Sequence, residues 1–92
     1  MQQYFVYILK CYDGLFYVGH TDNIEGRISA HNNKTYGGFT AKRLPVEVVY
    51  VEKFDSRDDA FHAERQIKGW SRAKKKALIE SDWKKIVLLS NQ

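Results

Sequence analysis

The first 20 residues contain two short apolar segments that flank a turn. Residues 4–10 and 15–19 are rich in aromatic and β-branched side chains, and Asp13-Gly14 between them readily adopts positive φ. This pattern predicts a β-hairpin. Because neither arm alternates cleanly between apolar and polar residues, we expect helices to cover both faces of the sheet.

From residue 21 to residue 54 the pattern predicts a helix, a loop and a strand. Thr21-Asp22 is suited to cap a helix that runs to about residue 33. Residues 32–43 contain turn residues and two adjacent glycines, so we predict a mobile loop there. Residues 46–54 are predicted to form a third strand. Pro45 precedes it at a position where the missing backbone N–H of proline is tolerated.

Three more helices are predicted after residue 54. Ser56 opens the first, which runs through residue 68 and which Gly69 would end in the left-handed conformation. Ser71 opens the next, to about residue 80, and Ser81 or Asp82 opens the last. The order β-β-α-β-α-α-α predicts an α/β (α+β) fold with a three-stranded, mainly antiparallel central sheet flanked by helices.

Length and composition limit the class of protein. A chain of 92 residues with 43% hydrophobic residues supports one core, so we expect residues 1–92 to form one domain. Cys11 is the only cysteine and no secretory leader precedes the first strand, which together predict a cytoplasmic protein. No apolar run approaches the roughly 20 residues that cross a bilayer, so no membrane role is expected.

The charge balance favours polyanionic partners. Fifteen Lys and Arg against eleven Asp and Glu give a formal charge of +4 and a pI near 9.2. A basic surface raises the local concentration of nucleic acid. Many small domains are mildly basic for solubility alone, so charge by itself does not decide the function.

Arg27 and His31 form the first candidate pair for chemistry. They lie four residues apart on a predicted helix and so project from one face. A guanidinium matches phosphate oxygens, and an imidazole can transfer a proton near neutral pH. An isolated Arg and His at this spacing are more often a solvated helix surface, and that interpretation stays open.

Glu64 is the second candidate. It shares a helix side with Ala60, Ala63 and Ile67, which would place its carboxylate beside the apolar stripe. A carboxylate there needs either a divalent cation or a basic partner such as Arg65 or a lysine across the groove. The residues alone favour neither.

Five features in order resemble the GIY-YIG nucleases, in particular the small stand-alone bacterial single-domain members. They are Phe5-Val6-Tyr7, Tyr17-Val18-Gly19, Arg27, His31 and Glu64. The resemblance covers about the first 70 residues. It implies an endonuclease that hydrolyses nucleic-acid phosphodiester bonds with a single Mg²⁺ or Mn²⁺ ion, which enters with the substrate.

Site roles follow from the resemblance, residue by residue. Tyr7 would be the base or the group that positions water, Arg27 would stabilise phosphate charge, and Glu64 would hold the metal. Tyr17 and His31 would position the water or relay its proton. Gly19 would let the end of its strand approach the site closely.

The two tyrosines can serve one site only if they share a sheet face. A two-residue hairpin loop would place Tyr7 and Tyr17 on opposite faces, and a three-residue loop would place them together. We therefore predict an odd-length loop or a bulge near Gly14. Without the rest of the pattern, both tyrosines would be ordinary sheet aromatics.

Two positions depart from the family pattern. Phe5 stands where the family name has glycine, a change that is common among the small stand-alone members. The asparagine that many active members carry near the end of the core has no clear equivalent, and Ser81, Asn91 or nothing stands there. The second departure leaves open an alternative, a weakly active or inactive nucleic-acid-binding module on the same scaffold.

Basic side chains supply the expected contact surface. The candidates for nucleic-acid binding are Lys34, Lys42, Arg43, Arg72, Lys75 and Lys76. Tyr36 and Phe39 lie among the first of these and could stack on unpaired bases. A lysine-rich helix is also commonly a solvated face.

The expected partner is nucleic acid, with structured or partly single-stranded DNA favoured over RNA. A domain this small has little surface for reading bases, so specificity would come from a protein partner or from nucleic-acid shape. A small-molecule or protein-interaction domain is disfavoured because the sequence has no phosphate loop, cysteine-histidine metal cluster or nucleophile motif. The sequence does not define the oligomeric state.

Overall fold

Three strands and four helices follow one another in the order β-β-α-β-α-α-α in the part of the chain that the structure describes. The structure is a computed structural model, and it describes residues 2–32 and 43–90. The elements are β1 (Tyr4–Lys10), β2 (Phe16–Thr21), α1 (Ile24–Asn32), β3 (Glu47–Phe54), α2 (Arg57–Lys68), α3 (Arg72–Ile79) and α4 (Trp83–Ser90). The predicted order and the α+β fold class are confirmed.

The sheet has the order β2-β1-β3, and both pairings are antiparallel. Its central strand is the most buried element, since Val6, Tyr7, Ile8 and Leu9 are all fully buried. A register shift between Ile8 and Leu9 marks a bulge in the pairing of β1 with β3. Among the described strands, β2 and β3 are edge strands, and β2 carries much of the candidate site.

The hairpin loop sets the facing of the two tyrosines. Cys11 N–H donates to Leu15 C=O at 2.8 Å, and Gly14 has φ +87°. This geometry is typical of a three-residue loop that ends in a left-handed residue. In the resulting register Tyr7 pairs with Gly19, and two residues further along the sheet Leu9 pairs with Tyr17. The two phenols therefore share a face, as predicted.

Each face of the sheet has its own core. On one face, α2 packs over all three strands and α3 packs against β3. The buried residues there are Val6, Ile8, Val18, Ala60, Ile67 and Leu78. On the other face, Ile24 and Ile28 of α1 pack against Tyr7 and its buried neighbours. Helices thus cover both faces, as the mixed apolar pattern of the strands predicts.

Three predicted helix starts are confirmed by side-chain caps. Ser56 accepts from the Asp59 amide at 3.2 Å, and Ser71 accepts from the Lys74 amide at 3.2 Å. Of the two candidates for the last helix, Ser81 and Asp82, it is Asp82 that accepts from the Lys85 amide, at 3.1 Å, and so opens α4. Each cap satisfies one amide that has no partner inside the helix.

Two predicted helix ends are wrong. Asn23, not Thr21-Asp22, caps α1, because its side chain accepts from the Gly26 amide at 3.1 Å while Thr21 holds the Asn23 amide. Gly69 has a right-handed φ of −79°, and its amide donates to Gln66 C=O. The chain tightens there instead of reversing into a left-handed residue.

Only the two ends of the predicted loop over residues 32–43 lie within the described residues. Asn32 still belongs to α1, and its side chain accepts from the Val46 amide at 3.0 Å, which ties the helix end to the start of β3. Residues 33–42 lie outside the described residues. Within the described ranges, no helix is long and apolar enough to cross a membrane.

Candidate active site

Helix α1 places two of the predicted site residues on one side. Arg27 and His31 lie four residues apart, and the helix packs on the sheet face that carries Tyr7. Arg27 is half-buried and His31 is 1% exposed. The alternative of a solvated helix surface therefore does not hold for His31.

A buried aromatic group, the tyrosine cluster, consists of Tyr7, Tyr17 and His31. The Tyr7 hydroxyl and His31 Nε2 are hydrogen-bonded at 3.2 Å. The His31 ring centroid lies 5.0 Å from that of Tyr17 and 6.1 Å from that of Tyr7. Tyr7 is fully buried, whereas Tyr17 is half-buried at the edge strand. The structure thus brings three of the predicted residues together.

The electrostatics of the tyrosine cluster favour a neutral imidazole. Burial lowers the pKa of His31 below its ordinary value of 6.5, and the Arg27 cation lowers this pKa further. Both effects disfavour a second positive charge. At neutral pH His31 is therefore uncharged and has one ring nitrogen that can accept a proton.

Gly19 makes room for the Tyr7 ring. It lies opposite Tyr7 in the β1–β2 pairing, and a Cβ at this position would lie 2.6 Å from Tyr7 Cζ. Any side chain would displace the phenol. The close approach expected at Gly19 is thus an approach to a tyrosine ring of the same site.

Glu64 is a buried carboxylate with two basic partners. It lies with Ala60 and Ile67 on the core side of α2 and is 7% exposed. Its Oε2 is 2.7 Å from His20 Nδ1, and its Oε1 is 3.4 Å from Lys68 Nζ. Basic side chains therefore compensate the burial of the charge, although Arg65 is not one of them. Arg65 lies over the Phe61 ring instead.

A polar cleft, the arginine cleft, adjoins this carboxylate. It has a volume of about 170 Å³ and is lined by Tyr4, His20, Thr21, Asp22, Arg27 and Arg57. The Arg57 guanidinium lies 5.5 Å from the centre of the Tyr4 ring. His20 lines the cleft and bonds Glu64, so it links the carboxylate to a concavity with two guanidinium groups. Such a site suits an anion with several oxygens.

Sequence reasoning missed His20, Arg57 and Lys68. The i, i+4 spacing of Glu64 and Lys68 on one helix was a usable signal. The register that pairs His20 with Val6 places it on the α2 face of the sheet, but its bond to a residue 44 positions away is purely tertiary. Arg57 carries no signal beyond its charge.

The predicted basic residues divide into separate groups. Arg72 stacks on Phe16, with its guanidinium carbon 4.4 Å from the ring centre, and Lys75 lines a pocket beside the same ring. Lys76 lines a neighbouring groove with Glu47 and Glu80, and Arg72 and Phe16 line this groove as well. Lys34 and Lys42 lie outside the described residues.

Arg43 has a different setting from the other basic residues. Its Nε lies 3.0 Å from Asp13 Oδ2, and its carbonyl accepts from the Tyr12 amide at 2.9 Å. Both contacts join the chain at residue 43 to the β1–β2 loop. Arg43 therefore helps to position this part of the backbone.

Glu64 is the side chain best suited to hold a divalent cation. Within residues 2–32 and 43–90 no group of three or more His, Cys, Asp or Glu side chains could hold a metal. One carboxylate combined with substrate phosphate and water is a common Mg²⁺ arrangement, and the oxygen that faces the half-exposed Lys68 is the one more easily released. The donor set fits a hard ion that binds together with an anionic ligand.

Comparison with known proteins identifies the family of the chain. The GIY-YIG catalytic domain matches residues 3–77. A UPF0213 protein of Staphylococcus saprophyticus is 44% identical over 86% of this chain and 96% of its own length. A UPF0213 protein of Natronomonas pharaonis is 40% identical over 86% of this chain and 93% of its own length.

Solved structures show the same fold. The solution NMR structure of a protein from E. faecalis has a TM-score of 0.62 and 36% identity, over 88% of this chain and 86% of that chain. The solution NMR structure of a UPF0213 protein from Bacillus halodurans has a TM-score of 0.57 and 35% identity, over 85% of this chain and 83% of that chain. The matched range and these similarities show that the chain belongs to the GIY-YIG family, whose small UPF0213 proteins are its relatives.

Proposed function

We propose that this chain is a divalent-metal-dependent endonuclease that hydrolyses phosphodiester bonds in nucleic acid, with DNA as the favoured substrate. One observation carries the proposal. The buried carboxylate of Glu64 is joined through His20 to a cleft lined by Arg27 and Arg57. A phosphate in that cleft would lie between two cations and next to the metal-binding carboxylate.

The two arginines are the groups that hold the phosphate. A guanidinium presents planar N–H donors that match phosphate oxygens, and its charge offsets the negative charge that grows as phosphorus is attacked. Arg27 stands on α1 and Arg57 at the start of α2, so the two cations come from opposite faces of the sheet. They fix a phosphate at the edge of β2.

Glu64 would hold the metal, and a bound Mg²⁺ or Mn²⁺ ion would supply charge neutralisation at the phosphate and the leaving oxygen. His20 keeps the carboxylate in place through its 2.7 Å bond. A partner of this kind orients a ligand group before the ion arrives.

The tyrosine cluster would receive the proton of the attacking water. His31 is uncharged at neutral pH because burial and the Arg27 cation lower its pKa, and it shares a hydrogen bond with Tyr7. Tyr17 lies beside His31 and is the more exposed of the two phenols. We place Tyr17 next to the water and the Tyr7–His31 pair behind it as the proton-accepting unit.

A second candidate is a nucleic-acid-binding module that cleaves weakly. Both carboxylate oxygens of Glu64 already face a basic side chain, so a metal must compete with Lys68. Ser81, one position considered for the asparagine of active members, is an exposed residue between α3 and α4 with φ 57°. Asn91, the other position considered, lies outside the described residues.

Cleavage assays distinguish the two candidates. Purified protein is incubated with flapped, branched, single-stranded and duplex DNA and with RNA, in Mg²⁺ or Mn²⁺, beside Glu64→Gln and the matched control Lys53→Gln on the opposite edge of the sheet. If the chain is an endonuclease, the wild type and Lys53→Gln should both yield cleavage products, and Glu64→Gln should cleave about 100-fold or more slowly. Salt-sensitive binding with equal, negligible cutting by all three would instead establish the binding module.

A further inference from the structure

A second concavity, the lysine pocket, lies on the other side of Glu64. It has a volume of about 210 Å³ and is lined by Phe16, Tyr17, Val18, Lys68 and Lys75. Lys68 lines this pocket and faces Glu64 Oε1, while His20 lines the arginine cleft and bonds Glu64 Oε2. The carboxylate therefore separates two neighbouring sites along the edge strand β2.

The two concavities differ in chemistry. The arginine cleft has polar walls, whereas the lysine pocket has aromatic and aliphatic walls from β2 with two amines from α2 and α3. Arg72 lies on the Phe16 ring and lines a neighbouring groove with Lys76, so further cations stand beside the lysine pocket. An apolar surface with cations at its rim fits a flat ring attached to a negatively charged backbone.

We propose that the lysine pocket binds one unpaired nucleobase next to the phosphate held in the arginine cleft. This inference rests on the proposed function and names its substrate class, a nucleic acid with a single-stranded segment at the cleaved bond. Lys68 and Lys75 would contact the phosphates that flank this base, and the wall formed by Phe16, Tyr17 and Val18 would contact the ring.

The lysine pocket is small. Its volume of about 210 Å³ lies below the roughly 300 Å³ at which pockets for drug-sized ligands begin, so it suits one ring system better than a base pair. A base inside a duplex has both faces covered by its neighbours and must leave the stack before another surface can contact them. An unpaired or splayed nucleotide can therefore place its base in the pocket while its phosphate lies beside Glu64.

Binding of synthetic oligonucleotides with metal removed by a chelator tests the pocket without requiring cleavage. The probes are a single-stranded hexanucleotide, the same strand with one abasic residue placed at each position in turn, and the matching duplex. We expect the intact strand to shift the amide NMR signals of Phe16, Val18 and Lys75. One abasic position should weaken binding by roughly 5- to 150-fold, and the other positions should weaken it less.

Matched charge reversals test the two amines. Lys75→Glu should weaken binding of the single strand. The slope of log affinity against log salt concentration should become shallower by about one or more, because a phosphate contact is lost. Lys53→Glu makes the same change of charge on the opposite edge of the sheet and should have little effect. Circular dichroism and urea unfolding confirm that both variants fold.

The outcomes separate this inference from the proposed function. Equal binding of all abasic strands, or equal shifts of the same amides by the duplex, overturns the pocket while cleavage by the wild type still supports the nuclease. Equal losses in Lys75→Glu and Lys53→Glu also overturn it. Absence of binding to any nucleic acid overturns both proposals together.

Discussion

The two sides of the sheet contribute unlike halves to the candidate site. On the α1 side, Tyr7 and His31 are buried and held by packing and one hydrogen bond, and burial lowers the pKa of His31. On the α2 side, Glu64 is also buried, but it is a carboxylate, and its contact with His20 connects it to a cleft that solvent reaches. The first half is suited to accept a proton, and the second is suited to bind an anion and a metal.

This comparison shows how a small domain can combine the two kinds of chemistry. A buried charge needs partners, and partners such as Lys68 at the surface also attract a polyanion. His31 instead stays unprotonated at neutral pH, because burial and the Arg27 cation both lower its pKa. The β2 edge lets both sides of the sheet face one substrate.

The largest expected effect concerns the partners of Glu64. His20→Ala should slow cleavage by about 10- to 100-fold, because it removes the short, partly buried hydrogen bond that orients the carboxylate. Lys68→Ala removes a longer contact to a half-exposed amine and should cost about 5-fold or less. Single-turnover cleavage rates measure both. Equal losses would show that the two partners are equivalent.

Gly19 and Gly69 give the next contrast, measured as the free energy of unfolding in urea. Gly19→Ala should lose about 1–3 kcal/mol, because its Cβ would overlap the packed Tyr7 ring. Gly69→Ala should be neutral or gain up to about 1 kcal/mol, since its φ is right-handed and the nearest atom to an added Cβ is 3.5 Å away. A stable Gly19→Ala variant would contradict the described packing of Tyr7.

The smallest effect concerns the titration of His31. Arg27→Gln removes a nearby cation, so the pKa of His31 should rise toward its ordinary value of 6.5 while burial keeps it below that value. NMR titration of the imidazole measures the shift. A fall in this pKa, or no change, would show that the Arg27 charge does not reach the tyrosine cluster.

The same depressed pKa predicts how His31 affects stability. The unfolded chain takes up this proton at higher pH than the folded chain does. The neutral His31 therefore makes its full contribution to the free energy of unfolding above about pH 6.5. This contribution is lost as the pH falls through that value toward the lower pKa of the folded state. His31→Gln should remove this contribution from the unfolding free energy measured across the window.

The fold could be predicted because its signals are local or periodic. Asp13-Gly14 and the apolar segments around it define the hairpin, and Ser56, Ser71 and Asp82 mark helix starts that the structure confirms. Asn23 was missed because three adjacent polar residues can each cap α1, and only the local turn made by Thr21 selects among them. Gly69 was misassigned because the identity of a residue does not fix the turn that follows a helix.

The candidate site could be predicted only in part. Arg27, His31 and Glu64 stand at helical spacings that indicate their facing, and the tyrosines follow the register. His20 and Arg57 enter the site through contacts between distant segments, which no single-sequence pattern encodes. The side of the carboxylate that faces the lysine pocket likewise depends on how α2 packs against β2.

The central claim is that Glu64 holds the metal beside the arginine cleft, and paramagnetic broadening by Mn²⁺ tests it most directly. With a non-hydrolysable single-stranded oligonucleotide bound, substoichiometric Mn²⁺ should broaden the amide signals of His20, Thr21 and Glu64 and spare Lys53. The broadening should disappear in Glu64→Gln. Broadening that instead centres on the exposed carboxylates of Asp58 and Asp59, or that persists in Glu64→Gln, would contradict the account.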